Sequence, residues 1–272
     1  MSQPRKPRAG GGIGIIWHSN ALLESGGGML ERASRRFSLS RHFGYYSKRV
    51  DRIVAVSKGV RNFLSTYCKD EDKIVVVPTG VDVSELHISF VRPQSPFVFL
   101  AFADSAEGVA TILEAGSRVA NHRGDFRICL SGGSEVATIV SNAFRQIPEW
   151  LDVKVDCKDY VSLYDSASCF VSADRGGVPY NIIAGASISG LPLIVSNGEA
   201  TRWWSSSTPS VFQFNYPSSI NLARTMKFVM GIDREKLAQK CEISSRVNSA
   251  KYSLDSWANH IITIYREIRE SK

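Results

Sequence analysis

No apolar stretch in these 272 residues approaches the ~20 needed to span a hydrocarbon core, so no transmembrane helix is expected. Cysteine is scarce and carries no pattern. Cys68, Cys129, Cys157, Cys169 and Cys241 make an odd count, with no CxxC pair and no metal-ligand spacing. This argues against a disulfide framework and against a bound metal, and a reducing cytoplasm suits such thiols best. Cys129 and Cys169 fall inside apolar runs, where a free thiol behaves as a small hydrophobe. The basic start MSQPRKPRAGGG leads into only about five apolar residues before His18, too few for the core of a signal peptide. Internal repeats are absent as well.

What is present is ample material for a core. Hydrophobic residues make up 43% and aromatics 10%, which excludes global disorder. The net charge is +7, and the bases gather in the first fifth of the chain, at Arg5–Arg8, Arg32–Arg36, Arg41 and Lys48–Arg52. A solvated basic face is the favoured reading. The amphipathic segment 30–46 keeps peripheral contact with an anionic membrane open through Arg32–Arg52, at the inner face of the membrane. A nucleic-acid partner is the less favoured use of the same charge.

The most informative stretch is 161–197, VSLYDSASCFVSADRGGVPYNIIAGASISGLPLIVSN. Leu163, Tyr164 and Ala167 share a helical face, and Cys169 to Ser172 is an apolar run of strand length. A loop of breakers follows, Asp174-Arg175-Gly176-Gly177-Val178-Pro179. Small and apolar residues then recur with helical spacing from Asn181 to Ser189, and Gly190 sits where a C-cap glycine belongs. Leu191 to Val195 is a second buried strand. Strand, glycine loop, helix and strand make a βαβ unit with parallel strands and a right-handed crossover. A glycine loop that opens into a helix also offers backbone N–H groups to a phosphate, although most βαβ units bind nothing.

Leu163-Tyr164, Arg175-Gly176-Gly177, Asn181-Ile182-Ile183, Ala186 and Gly190-Leu191-Pro192 fall in register with a run that resembles the hallmark of the group 1 (family 4) glycosyltransferases. The resemblance implies a GT-B fold and transfer of a sugar from a nucleotide-sugar donor, with retention, to a glycan or lipid-linked acceptor. No cofactor or metal is implied. It makes Gly132, Gly133, Tyr164, Arg175, Gly176, Gly177, Asn181 and Ile182 the candidate donor-binding residues. The family also carries a glutamate on the loop and another on the following helix. Here those positions fall on Gly177 and Gly185, or on Gly176 and Ala184 with the loop slid by one, and neither register supplies a carboxylate.

The rest of the chain follows the same order. Residues 1–12 read as a flexible arm. Residues 13–17 are a short strand ending at His18, which matches a histidine that faces the transferred sugar in the family and is the candidate catalytic residue. Residues 29–46 read as a helix, 50–57 as a strand, 58–67 as a helix and 74–77 as a strand. Pro78-Thr79-Gly80-Val81-Asp82 resembles the family turn that leads into the interdomain cleft, so Gly80 and Asp82 are cleft candidates together with Glu107 and Gly108. Residues 91–96, with two prolines, are the linker candidate. The strand beginning at Phe97 enters a segment whose arginine and lysine hold the donor diphosphate in the family. Aligned on Gly108, these positions carry Phe102 and Glu107. A charge reversal beside a phosphate costs on the order of 1 kcal/mol or more. Asp174 and Glu107 are the nearest replacements for the missing carboxylates.

Further helices are expected over 109–121, 136–147, 220–230 and 234–248. Strands are expected over 126–130, 153–155 and 211–214, with the loop Ser131-Gly132-Gly133-Ser134 passing close to the nucleotide. Trp203-Trp204 reads as a lid on the core in preference to an acceptor surface. Tyr252 to Trp257 resembles the family's entry to a last helix that returns to the N-terminal domain.

The expected architecture is α/β and GT-B-like. A reduced N-terminal α/β domain spans 13–92, and a Rossmann-type parallel-sheet domain of nucleotide-sugar-binding type spans 97–272. An acceptor-side domain at 13–92 is short against the usual domain of roughly 100–150 residues. Three explanations stand: it leans on the second domain, a protein partner completes it, or the gene is a truncated relic, with the first two together favoured over the third. Two readings stay open: a glycosyltransferase with an altered donor site, and a degenerate homologue acting as a partner subunit or a sugar or nucleotide binder.

Overall fold

The computed structural model describes residues 15–16, 47, 50–66, 68, 70–92, 95–103, 105–122, 125–173, 180–197 and 208–270. His18, the helix expected over 29–46, Arg175, Gly176, Gly177 and Trp203-Trp204 lie outside them. Two compact units form: residues 1–80 with 255–272, and residues 81–254.

The first unit holds a three-stranded parallel sheet in the order β1-β2-β3, with β1 at Ile15–Ile16, β2 at Arg52–Ala55 and β3 at Ile74–Val76. Helix α1, Lys58–Ser65, follows β2. It starts where the Ser57 hydroxyl accepts the Val60 N–H at 3.1 Å, the usual duty of an N-terminal serine.

The second unit is a six-stranded, wholly parallel sheet in the order β6-β5-β4-β7-β8-β9. Its elements alternate along the chain. They are β4 Phe97–Phe102, α2 Ala106–Ala120, β5 Phe126–Gly132, α3 Glu135–Ala143 and β6 Leu151–Val155. Then come α4 Tyr160–Ser166, β7 Cys169–Ser172, α5 Tyr180–Ile188, β8 Leu193–Ser196 and β9 Val211–Phe214. Helices α6 Ser219–Met230, α7 Arg234–Tyr252 and α8 Leu254–Glu270 end the chain. Helix starts are set by side chains already visible as caps. Ser105, Asp159, Ser218 and Asp233 each accept the backbone N–H three residues on, satisfying donors that a helix leaves orphaned.

All four residues of β7 and all four of β8 are buried, as a central parallel strand covered on both faces requires. Gly116 on α2 is there for packing: a Cβ would lie 2.5 Å from the Trp150 ring and 2.8 Å from Ile128. Trp150 in turn stacks on Phe126 at 6.0 Å. Phe144 is extended and edge-on to Trp150 at 6.0 Å, so α3 stops at Ala143 rather than running to Ile147.

The second unit begins and ends side by side. Val81 donates to the Tyr252 carbonyl and Leu254 donates to the Val81 carbonyl, both at 2.8 Å. Residues 81–92, expected in the N-terminal domain, group with this unit. From Asp255 onward α8 belongs to the first unit. There Ile264 and Ile268 join Val54 and Val77 in a small core, flanked by Trp257, Ile261 and Val75. Trp257, Ile261, Ile264 and Ile268 recur at helical spacing, so one stripe of α8 is apolar.

Candidate functional site

Strand β4 lies in the middle of the six-stranded sheet. The chain first builds β5 and β6 on one side of it, then β7, β8 and β9 on the other. The connections after β4 and β7 therefore leave in opposite directions, and an open α/β sheet forms its ligand crevice at such a point, beyond the carboxyl ends of the strands. Four of the stretches singled out from the sequence converge on this edge. They are the first turn of α2 with Glu107 and Gly108, the end of β5 with Gly132 and Gly133, the end of β7, and the start of α5 with Asn181.

The glycine pair divides its work. Gly132 closes β5, and a Cβ there would lie 2.6 Å from Val136 Cγ2 and 2.8 Å from the Ala103 carbonyl oxygen. It lets α3 and the end of β4 pack tightly. Gly133 is exposed, and no atom lies within 4 Å of where its Cβ would be. The space where a side chain would stand is open to a flat group, while its carbonyl accepts the Val136 N–H at 3.0 Å. The Gly132 carbonyl is already used, accepting the Asp156 N–H at 2.9 Å.

At the α2 end, the Gly108 N–H donates to Ser105 Oγ at 3.0 Å, so the helix supplies its own cap. Glu107 is exposed, and its carboxylate accepts the Tyr216 hydroxyl at 2.9 Å. The Thr111 hydroxyl reaches the Glu107 carbonyl at 2.8 Å and the Pro217 carbonyl at 3.3 Å. The segment after β9 is thus tied to the first turn of α2. Asn197 donates to the Asn215 side chain at 2.9 Å on the same edge. Between β4 and β8, at the end of β7, the Ser172 hydroxyl is fully buried with no partner.

Tyr164 and Ile182, expected to touch a donor, have their side chains buried in the packing of the second unit. Tyr164 is 3% exposed and donates its hydroxyl to the Ile182 carbonyl at 2.9 Å. Burial pushes that phenol well above its ordinary range. Its ring covers Gly185, where a Cβ would lie 3.0 Å from Cε2 and from the hydroxyl. Gly185 is, with Ala184, one of the two positions at which the resemblance puts the family's second glutamate, and here an aromatic side chain takes the space of its Cβ. Phe102, at the family's diphosphate arginine, is 6% exposed. It lies 6.4 Å from Tyr160, which stacks on Tyr164 at 6.4 Å. An aromatic row thus begins at one of the two positions where the family carries a cation, and Glu107 occupies the other.

Asn181 is exposed on the first turn of α5 and free to face a ligand. Asp82 accepts the Ser84 N–H at 3.0 Å and the Ser84 hydroxyl at 2.6 Å, capping a short turn at Val83–Glu85. Gly80 is the last residue of the first unit before the division. Among the described residues no group of three or more His, Cys, Asp or Glu side chains is placed to hold a metal ion. Among them, too, no helix is long and apolar enough to cross a membrane.

The most heavily used side chain that sequence reasoning missed is Arg92. Its Nη1 donates to the Tyr164 carbonyl at 2.9 Å and its Nη2 to the Ser189 carbonyl. These are the C-terminal ends of α4 and α5, where a cation meets the negative poles of both helices. Ser89 also donates to the Ser189 carbonyl at 3.1 Å. A lone arginine beside prolines carries no sequence signal for such a place.

Comparison with known proteins agrees with this geometry. The model of Glycosyltransferase Family 4 matches residues 5–85. Among solved structures, a glycosyltransferase from Rickettsia africae superposes with a TM-score of 0.70 at 20% identity, over 86% of this chain and 68% of that one. Sucrose-phosphate synthase from Thermosynechococcus elongatus gives 0.73 at 13%, over 89% and 64%. HepE of Anabaena, solved in complex with UDP and glucose, gives 0.70 at 14%, over 94% and 70%. This is the GT-B fold. Residues 5–85 are similar to family 4 glycosyltransferases, and the likeness of the six-stranded parallel sheet to these structures is one of fold. The chain spans about two thirds of the length of these three proteins, and 45% of TarM. No match was found among curated proteins.

Proposed function

We propose that the chain is a glycosyltransferase that takes a nucleotide-sugar donor at the carboxyl edge of the six-stranded sheet and passes the sugar, with retention, to a glycan or lipid-linked acceptor. The observation that carries this is the exposed Gly133 at that edge, with open space where a side chain would stand, beside the point where the connections after β4 and β7 diverge. A base or ribose needs such a close approach to backbone. The complex of HepE with UDP and glucose makes a uridine nucleotide the first to try. In this proposal Asn181 and the 174–179 loop with Arg175 face the diphosphate and sugar, and His18 faces the transferred sugar. Work at the cytoplasmic face of a membrane, reached through the basic 32–52 segment, belongs to the same proposal.

A second reading is favoured by one specific observation. Phe102 is buried at the position aligned with the family's arginine, and the Tyr164 ring covers Gly185, one of the two positions aligned with its second glutamate. Stabilisation of the leaving diphosphate by fixed cations is the main electrostatic aid to such a transfer. On this reading the chain binds the nucleotide without turning it over and serves as a subunit beside an active partner. Calorimetric titration of the purified chain with UDP, GDP and their sugar conjugates, followed by assay for release of free nucleotide, separates the two. Binding with release supports transfer, and His18→Ala and Arg175→Ala then test the roles given to them. Binding without release favours the subunit. No binding to any of them sinks both nucleotide readings.

A further inference from the structure

The six-stranded sheet ends on β9. Between β8 and β9 the Leu193 N–H donates to the Ser210 carbonyl and the Asn197 N–H to the Phe214 carbonyl, each at 3.0 Å. Even-numbered residues of β9 therefore turn their backbone groups to β8, and odd-numbered ones turn them away. The outward Val211 N–H is used in a turn, donating to the Thr208 carbonyl at 3.2 Å. Gln213 is exposed, and its outward N–H and carbonyl have no partner among the described residues. The strand reads Val-Phe-Gln-Phe, without the proline or charge that commonly guards such an edge.

A shelf of side chains runs beside this edge. Ile220, Arg224 and Phe228 follow at four-residue spacing along α6, so they form one line on the helix. All three are exposed, Phe228 by 62% and Ile220 by 50%, and an exposed apolar patch of this kind marks an interaction surface. The Phe228 ring meets Phe212 of β9 edge-on at 5.9 Å, which puts the line next to the open strand. The charge on the shelf has one sign. From Thr208 to Ile232 the chain has no acidic residue, and Arg224 and Lys227 are its cations. Neither is in an ion pair among the described residues. Glu107 and Glu114 of α2 reach this segment only to accept the Tyr216 and Ser219 hydroxyls, at 2.9 and 2.8 Å.

We propose that the β9 edge and the α6 line beside it dock an extended acidic segment of another protein, which adds a further strand to the sheet. The added strand bonds Gln213 through its own main chain. Four residues of α6 advance about 6.0 Å, and two residues of a strand advance about 6.6 Å. Alternate side chains of the segment therefore meet Phe228, Arg224 and Ile220 in turn, which sets its pattern as apolar, any, acidic, any, apolar. A lipid surface would take the ring and the cations but leave the Gln213 backbone groups unsatisfied. A second copy of this chain, paired edge to edge about a two-fold axis, would bring the same cations together. Charge and open main chain together select the peptide. The proposal stands apart from the donor-site reading.

The test is fluorescence anisotropy of the full chain with a labelled peptide, Ser-Val-Thr-Glu-Thr-Val-Ser, set beside the same peptide with lysine in place of glutamate. Saturable binding of the glutamate peptide is expected, with the lysine peptide weaker by about threefold or more, since an exposed attraction becomes a repulsion. Arg224→Glu should invert that preference. Gln213→Pro removes the outward N–H, a change that an edge strand tolerates. It should weaken the glutamate peptide while circular dichroism and the urea midpoint stay as in the wild type. Absence of saturable binding overturns the proposal. So does equal affinity for the two peptides, or unchanged binding by the folded Gln213→Pro variant. A dimer in sedimentation that Gln213→Pro breaks would give the edge to a second copy. Capture on phosphatidylglycerol vesicles that Arg224→Glu abolishes would give the shelf to lipid. Either result without peptide binding overturns the proposal too.

Discussion

Gly190→Ala should unfold the second unit more easily than any other single methyl group added to it. The backbone at Gly190 has φ of +93°, in the region that L side chains avoid. Placing alanine there costs about 1–2 kcal/mol by itself. The new Cβ would also lie 2.3 Å from the Ser89 carbonyl oxygen and 2.8 Å from Phe90 Cδ1. The nearer contact is main chain, which cannot rotate away as a side chain can. Residues 89–92 must shift, and that strains the Ser89 N–H bond to Ser189 and the Arg92 bonds to Tyr164 and Ser189. A neutral hydrogen bond is worth about 1 kcal/mol net and a charged one about 1.5–3. Losing one of each on top of the backbone strain gives a total of about 3.5–6 kcal/mol. Urea unfolding followed by far-ultraviolet circular dichroism reads this as a lower midpoint. Gly231→Ala is the matched control. Its φ is −92°, and a Cβ would meet nothing nearer than 3.5 Å, so a change within about 0.5 kcal/mol is expected. A loss at Gly190 below about 1 kcal/mol would refute the close docking of 89–92 on this turn.

The two glycines after β5 should respond oppositely. Gly132→Ala forces Val136 and the Ala103 carbonyl apart and should cost about 1–3 kcal/mol of stability. Gly133→Val meets no protein atom near its Cβ, so it should keep the wild-type midpoint while weakening any nucleotide titration. Equal nucleotide affinity in wild type and Gly133→Val would remove Gly133 from the donor site. Alkaline pH should also weaken the second unit. Burial holds the Cys241 thiol at about 12 against an ordinary 9.0, with the Ser210 and Arg92 contacts opposing only in part. The fold therefore favours the protonated thiol. That contribution is complete below pH 9 and is lost as pH rises from there toward 12, at up to about 1.4 kcal/mol per pH unit. Urea midpoints at pH 8, 9 and 10 should fall, and Cys241→Ala should fall less steeply. Parallel slopes for the two proteins would contradict the assignment.

The sequence by itself determined the order and type of elements in the second unit. Period-two and period-3.6 patterns, capping serines and aspartates, and glycines such as Gly190 are local signals, and each acts within a few residues of itself. The glycine at 190 was legible as a helix end because only glycine accepts that φ cheaply. The stretches that meet at the carboxyl edge were singled out from the sequence, but the strand order that brings them to one edge came only with the fold. What the residues do at that edge was decided by tertiary contacts. Tyr164 reads as a motif residue, but its ring is buried because Gly185, on a different helix, leaves space for it. Gly132 and Gly133 look alike in sequence, yet one is closed by Val136 and Ala103 and the other is open. Arg92 reads as part of a polar linker until two helix ends, brought together by the crossover, give it carbonyls to cap. Local pattern sets where the chain turns, whereas burial and charge pairing depend on residues from elsewhere in the chain, and only the folded packing brings them into reach.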